Sequence, residues 1–372
     1  MKITRVEARR HRGDETAPYS AEIVIVRVFT DSEVTGMGFA TAPPKVGSIF
    51  QQIIEEVLAP QILDADPRLT SDLWEKMQTQ AIPRRGGDGI VRPCTAAIDM
   101  ALWDIKGKAQ GVPVSHLLGG HRDLVPTYAN CAHHLPADAL AERAASYVAK
   151  GHKALKIRGT RSFVTPAEAT ERVRQVREAI GPDVRLMVDV NGSWDVDTAI
   201  QQLKTWEPYD VYWLEEPVPP ADIPGYARVR ERSGQTYIVG GEQHVGLLEF
   251  RTLIEHGKVD IAQPNVSITG GITDWLRIHA YATARGVPIS PWDLQMVHIH
   301  MAAGLANVQW IEYFMADNAL LEFQTKLFAG VAAHEEVTEE GVFLRAPTDP
   351  GLGLALDEEV ADRSLVQTKR NQ

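Results

Sequence analysis

The chain has 372 residues, more than one hydrophobic core usually organises, so two domains, or a barrel with an attached domain, are expected. It is 44% hydrophobic and 23% charged, which excludes a disordered chain, and no apolar run approaches the length of a membrane span. The net charge of −11 argues against nucleic acid as a partner, because phosphate binding needs a basic surface.

The opening MKITRVEARR alternates apolar and polar residues and lacks the apolar stretch of a secretory signal, so it reads as a strand of a cytoplasmic protein. A polar segment from His11 to Ser20 leads to a second strand, AEIVIVRVFT, and TDSEVTGMGFA turns into a third. Helical patterns follow over Val46 to Leu58, Leu69 to Gln80 and Cys94 to Gln110, the last ending before Gly111 and Pro113. Strands first and helices afterwards predict an α+β domain over residues 1–124. The two cysteines, Cys94 and Cys131, are too few for a disulfide scaffold and too far apart for a zinc site, and read as buried thiols.

From residue 125 the pattern changes to a regular alternation. Strand-like runs at VPTYANC, KALKIR, RLMVDV, VYWLEE, YIVGGE, VDIAQP, VPIS and VQWIEY are mostly separated by helical stretches such as AEATERVRQVREAI. Eight such units over residues 125–323 predict a β/α barrel, a TIM-like fold whose chemistry sits at the C-terminal strand ends. The remainder, 324–372, breaks the alternation and is expected to pack back on the first domain.

Aligning the strand ends brings out three acids. Asp189 closes LMVDV, Glu215 closes YWLEE and Glu242 closes IVGGE, each about one β/α unit from the next. Three carboxylates converging on one barrel face repel unless a cation sits among them, and all-oxygen ligation suits Mg²⁺ or Mn²⁺. One strand earlier, Lys156 and Arg158 alternate to the same side and are expected at the mouth. Lys156 is the expected proton acceptor, its pKa lowered by desolvation and neighbouring cations, while arginine stays protonated. On the last strand Glu312 is expected as a protonated acid donating to a developing oxyanion. A paired-carboxylate glycoside hydrolase using Glu215 and Glu242, or a non-catalytic binding barrel, are the competing classes.

Together TAAIDMALWDIKGKAQGVPVSHLLGG, the Lys156/Arg158 pair, VDVNGSW, LEEPV, GGEQ, ITGGIT and DPGLG resemble the mandelate racemase/muconate lactonizing enzymes of the enolase superfamily, over almost the whole chain. The resemblance implies a (β/α)₇β barrel under an N-terminal cap. It also implies Mg²⁺ on Asp189, Glu215 and Glu242, and abstraction of the proton α to a small substrate's carboxylate. By the same resemblance Glu216 would support the ligands and Asn191 would face the substrate, with a homo-oligomer as the expected state.

The departures narrow the chemistry. The position that resembles the family's basic lysine is Arg158, and the positions of its His–Asp dyad carry Asn265 and Trp292, so two-base racemisation is not expected. Asp293 and His244 are candidate substitute acids, and Trp292 is read as filling the pocket. Tyr19, Arg84 and Arg85, in the segments matching the family's capping loops, are candidates to meet the far end of the substrate. The resulting expectation is acid-sugar dehydration, a lyase reaction, with cycloisomerisation as the alternative.

Overall fold

The computed structural model describes residues 1–14, 22–80, 88–131, 135–159, 164–318, 321–328 and 334–366. The N-terminal part is an antiparallel sheet of β1 (Ile3–Arg12), β2 (Glu22–Thr30) and β3 (Thr35–Ala42), in that order. Four helices follow: α1 (Gly47–Gln52) runs on into a π-turn, α2 (Thr70–Glu75) does the same, and α3 (Val91–Gln110) and α4 (Val114–Leu117) complete the set. Helix α3 stops where Gly111 takes φ 68°, a left-handed conformation that glycine adopts without strain.

Val24, Val26 and Val28 of β2 pack with Ala97, Ile98 and Ala101 of α3 in a core of their own. The approach of α3 to β3 depends on two glycines. A Cβ on Gly36 would lie 2.0 Å from the Ala101 carbonyl oxygen, and one on Gly38 would lie 2.1 Å from that of Ala97. Gly38→Ala is therefore expected to push helix and sheet apart and cost about 1–3 kcal/mol, read as a lower urea midpoint. An unchanged midpoint would show that the contact relaxes freely.

The barrel runs β4 (Leu124–Asn130), α5 (Ala137–Ala149), β5 (Ala154–Arg158), α6 (Pro166–Ile180), β6 (Arg185–Asp189), α7 (Val196–Trp206) and β7 (Val211–Glu215). It continues through α8 (Ile223–Arg230), β8 (Tyr237–Gly240), α9 (Gly246–Thr252), β9 (Ile261–Ala262), α10 (Val266–Thr269), α11 (Ile272–Ala284), α12 (Gln295–Gly304) and β10 (Ile311–Tyr313). Strands β4 to β9 pair in parallel in chain order. Bridges Ala262–Ile289 and Ile289–Val308 carry the ring on, and β10 pairs with β4 to close it. Helix starts carry local signals: Thr165 and Glu168 form a capping box before α6, and Asp195 caps α7.

Alternation along each strand separates two interiors. Leu155, Val188, Leu214 and Ile238 face outward onto Val173, Leu203 and Val229 of the helices. Tyr128, Ala154, Met187, Trp213, Val239 and Ile261, one from each of β4 to β9, fill the barrel axis. Two residues further along the same strands stand Asn130, Lys156, Asp189, Glu215, Gly241 and Gln263. The next level inside the barrel is thus almost entirely polar.

After β10 come α13 (Glu322–Leu327), the hairpin β11 (Glu335–Thr338) and β12 (Gly341–Arg345), and α14 (Glu358–Ser364). This C-terminal stretch divides its contacts between the two bodies. Strand β12 pairs antiparallel with the start of β4, whereas the Leu352 N–H donates to Asp104 of α3 at 2.8 Å and Leu365 bridges to His11.

Candidate metal centre

Asp189 and Glu215 end β6 and β7, and Glu242 lies two residues beyond β8. All three are buried, with ligand oxygens within 4.8 Å of one another. Glu215 Oε2 and Glu242 Oε2 have no hydrogen-bond partner among the described residues. Burial pushes the Glu215 carboxyl up to about 8, and the charges of Asp189 and Glu312 add to it against the opposing pull of Lys156. Burial, with Glu216, Asp189 and Glu215 nearby, holds Glu242 well above the carboxylate range. A cluster this short of positive charge, with unpartnered carboxylate oxygens converging, fits a hard divalent cation.

Neighbours orient the trio. The Asn191 amide N–H donates to Asp189 Oδ1 at 2.8 Å, and its side chain donates to Glu242 Oε1 at 3.0 Å. Glu216 accepts from Gln243 at 2.7 Å, and burial pushes its carboxyl up to about 7. Asn191 and Glu216 both adopt left-handed backbone, with φ 47° and 42°, as do Asp293 and Leu294 at 56° and 46°. Non-glycine residues held there store some strain, as do Lys45, Asp64, Asp210 and Lys258 elsewhere.

The basic pair is split by depth. Arg158 is half-buried at the rim, its Nη2 3.0 Å from Asp189 Oδ2. Lys156 lies on the level of Asp189 and Glu215, fully buried, with Nζ 2.8 Å from Glu215 Oε1, 2.7 Å from Glu312 Oε1 and 3.9 Å from Asp189 Oδ2. Its expected lowered pKa is corrected. Burial does pull the ammonium down, but the charges of Glu215, Glu312 and Asp189 outweigh it, and Lys156 is held well above its ordinary value. Glu312 also accepts from Asn130 Nδ2 at 2.6 Å and from the Asp293 N–H at 3.2 Å.

Among the described residues, the remaining predicted ones have partners of their own. Asp293 accepts from Gln324 at 3.5 Å and lines a cavity of about 410 Å³ with Phe314 and Phe328, while its own N–H donates to Glu312; burial pushes its carboxyl up to about 7. His244 lines a groove with Pro220 and Leu248 and is pushed down to about 4 by burial, hence neutral. Asn265 caps α10 by accepting from the Ser267 N–H at 2.8 Å and donates to the Trp292 carbonyl at 3.0 Å, leaving the indole half-buried. Tyr19, Arg84 and Arg85 lie outside the described residues. Sequence reading missed Asn130, Gln263 and Ser290, whose level in the barrel shows only once the apolar layer on its axis is known.

Comparison with known proteins agrees with this architecture. The mandelate racemase/muconate lactonizing enzyme N-terminal domain matches residues 5–119, and the enolase C-terminal domain-like family matches residues 139–360. The chain is 31% identical over 346 residues to the 3,6-anhydro-alpha-L-galactonate cycloisomerase of Streptomyces coelicolor, covering 93% of this chain and 92% of that one. It is 32% identical over 374 residues to the D-galactonate dehydratase of Ralstonia pickettii, covering 96% and 93%. It superposes with a TM-score of 0.87 and 29% identity on a Streptomyces coelicolor racemase with bound magnesium, covering 98% and 100%. With both of its parts matched and nearly its full length shared with these relatives, the chain belongs to the mandelate racemase/muconate lactonizing enzyme family of the enolase superfamily.

Proposed function

We propose that this protein is a magnesium-dependent enzyme that removes the proton α to the carboxylate of a small acid sugar and dehydrates it. The observation that carries the reading is the buried Asp189, Glu215 and Glu242 trio with two cations, Lys156 and Arg158, on its flank. When bound there, Mg²⁺, or Mn²⁺ in its place, supplies the positive charge that offsets the one developing on the substrate carboxylate. Cycloisomerisation is the second reading, supported by the cycloisomerase relative. Asn265 and Trp292, at the positions that resemble the family's His–Asp dyad, carry no titrating group, so two-base racemisation is not expected. The expected form is a cytoplasmic homo-oligomer, which light scattering checks.

Within this reading Lys156 is a fixed cation beneath the substrate carboxylate, and Arg158, at the rim, meets the α carbon. Because guanidine is a base only at high pH, kcat/KM is expected to keep rising above pH 9. Arg158→Lys should retain α-proton exchange and move the profile to lower pH, and Arg158→Met should reduce exchange by at least about a hundredfold. Full activity in Arg158→Met would remove Arg158 from the chemistry.

The proposal is tested by incubating the purified protein with Mg²⁺ and a panel of acid sugars in D₂O. Turnover, or deuterium at the α carbon of one acid, is the expected result. Neither with any acid would overturn it.

A further inference from the structure

The polar level that carries Asp189 and Glu215 does not end with the metal ligands. Ile261 belongs to the apolar layer on the barrel axis together with Met187 and Trp213, and residues two apart on a strand share a face. Gln263 therefore occupies on the β9 side the level that Asp189 and Glu215 occupy on β6 and β7. On β8 the same level is Gly241, which contributes no side chain. Ser290 is the lateral neighbour of Gln263: Ala262 pairs in parallel with Ile289, and the Ser290 N–H donates to the Ala262 carbonyl at 3.0 Å. In a ring of eight strands, β9 stands opposite β5. The Gln263–Ser290 wall thus faces the Lys156–Arg158 wall across the axis.

Both side chains are fully buried, and Gln263 Oε1, Gln263 Nε2 and Ser290 Oγ have no hydrogen-bond partner among the described residues. The other polar groups around the site are engaged: Lys156 with Glu215 and Glu312, Asn130 with Glu312, and Arg158 at the rim with Asp189. A buried carboxamide whose donor and acceptor are both open is rare unless a ligand or water meets it. Amide and hydroxyl together offer donors and acceptors without charge. That suits a hydroxyl group, which gives one hydrogen bond and takes others, better than a carboxylate or a cation.

We infer that Gln263 and Ser290 form a neutral subsite that holds a hydroxyl of the substrate on the face opposite Arg158. The inference rests on the acid-sugar reading above and adds what that reading lacks, a wall that selects for polyhydroxy acids. A site built to hydrogen-bond a hydroxyl rejects an analogue without one, because its own buried groups are then left unpaired.

The test compares wild type, Gln263→Leu and Ser290→Ala in the presence of Mg²⁺. Galactonate, arabinonate and rhamnonate are the polyhydroxy probes, and hexanoate is the hydroxyl-free one. Calorimetry gives Kd for acids that bind without turnover, and initial rates give KM and kcat for those that react. Gln263→Leu is expected to weaken the polyhydroxy acids by about tenfold to a hundredfold and Ser290→Ala by less, with hexanoate unchanged. The ligand-free melting temperature of Gln263→Leu should be unchanged or higher, since the lost amide had no partner. Equal affinity of wild type and both variants overturns the subsite. So does a lower ligand-free melting temperature without loss of affinity, which assigns the side chains to internal water shared with Tyr128 Oη and Trp213 Nε1, two other unpartnered atoms. Wild type that neither binds nor turns over any of the three polyhydroxy acids overturns the acid-sugar reading itself, and the subsite with it.

Discussion

Glu242→Gln is expected to lower kcat/KM by at least about a thousandfold, and EDTA to abolish turnover reversibly, because the lost charge is one of three that hold the cation. A two-carboxylate hydrolase would keep its activity in EDTA, which separates that class cleanly. The same cluster predicts how the metal stabilises the fold. Glu215 at about 8 and Glu216 at about 7 lie above their ordinary value of 4.5. Raised acids keep protons in the folded state that the unfolded chain has already lost, so the metal-free fold loses stability as pH rises from about 4.5 through 8. Protons also compete with the cation for the oxygens of Glu215 and Glu242. The rise in melting temperature on adding Mg²⁺ should therefore be larger at pH 8 than at pH 6. An equal or larger rise at pH 6 would mean that these carboxylates do not bind it.

Lys156→Met is the second large effect, and it acts on stability as well as rate. Removing the ammonium leaves Glu215, Glu312 and Asp189 facing one another in a fully buried space. Breaking a buried ion pair from one side costs about 3–5 kcal/mol. Deuterium exchange at the α carbon should fall by about a thousandfold or more, because a preorganised charge beneath the substrate carboxylate is gone. The double variant Lys156→Met/Glu312→Gln separates the two losses. Neutralising Glu312 while keeping an acceptor for Asn130 should recover much of the urea midpoint and none of the exchange. Recovery of both would reduce Lys156 to a structural residue, and full exchange in the single variant would remove it from the chemistry.

The contrast between these residues shows how far a chain can be read without coordinates. Strand periodicity is two, so that Lys156 and Arg158 share a face is legible from KALKIR, and the repeat of the β/α unit makes Asp189, Glu215 and Glu242 legible as successive strand ends. Family motifs spread from residue 95 to the tail carried the cap-and-barrel architecture. These features are local or repeat at a fixed spacing, which is why the amino-acid sequence by itself determined them.

Depth and direction were decided only by the tertiary structure. Lys156 is fully buried because ring closure brings Glu312 of β10 and Asn130 of β4 against β5, partners far apart in the chain. That contact raises the lysine's proton affinity, whereas local reasoning about neighbouring cations lowered it. Asp293 and His244 follow site residues closely in sequence, yet they line cavities whose walls do not include the trio. Gln263 carries no local signal of chemistry, being one amide in an apolar run. It becomes conspicuous only when closure buries it among paired charges with nothing to bond. Spacing along a strand determines which side a residue faces, but what it meets there depends on groups that only the closed barrel brings together.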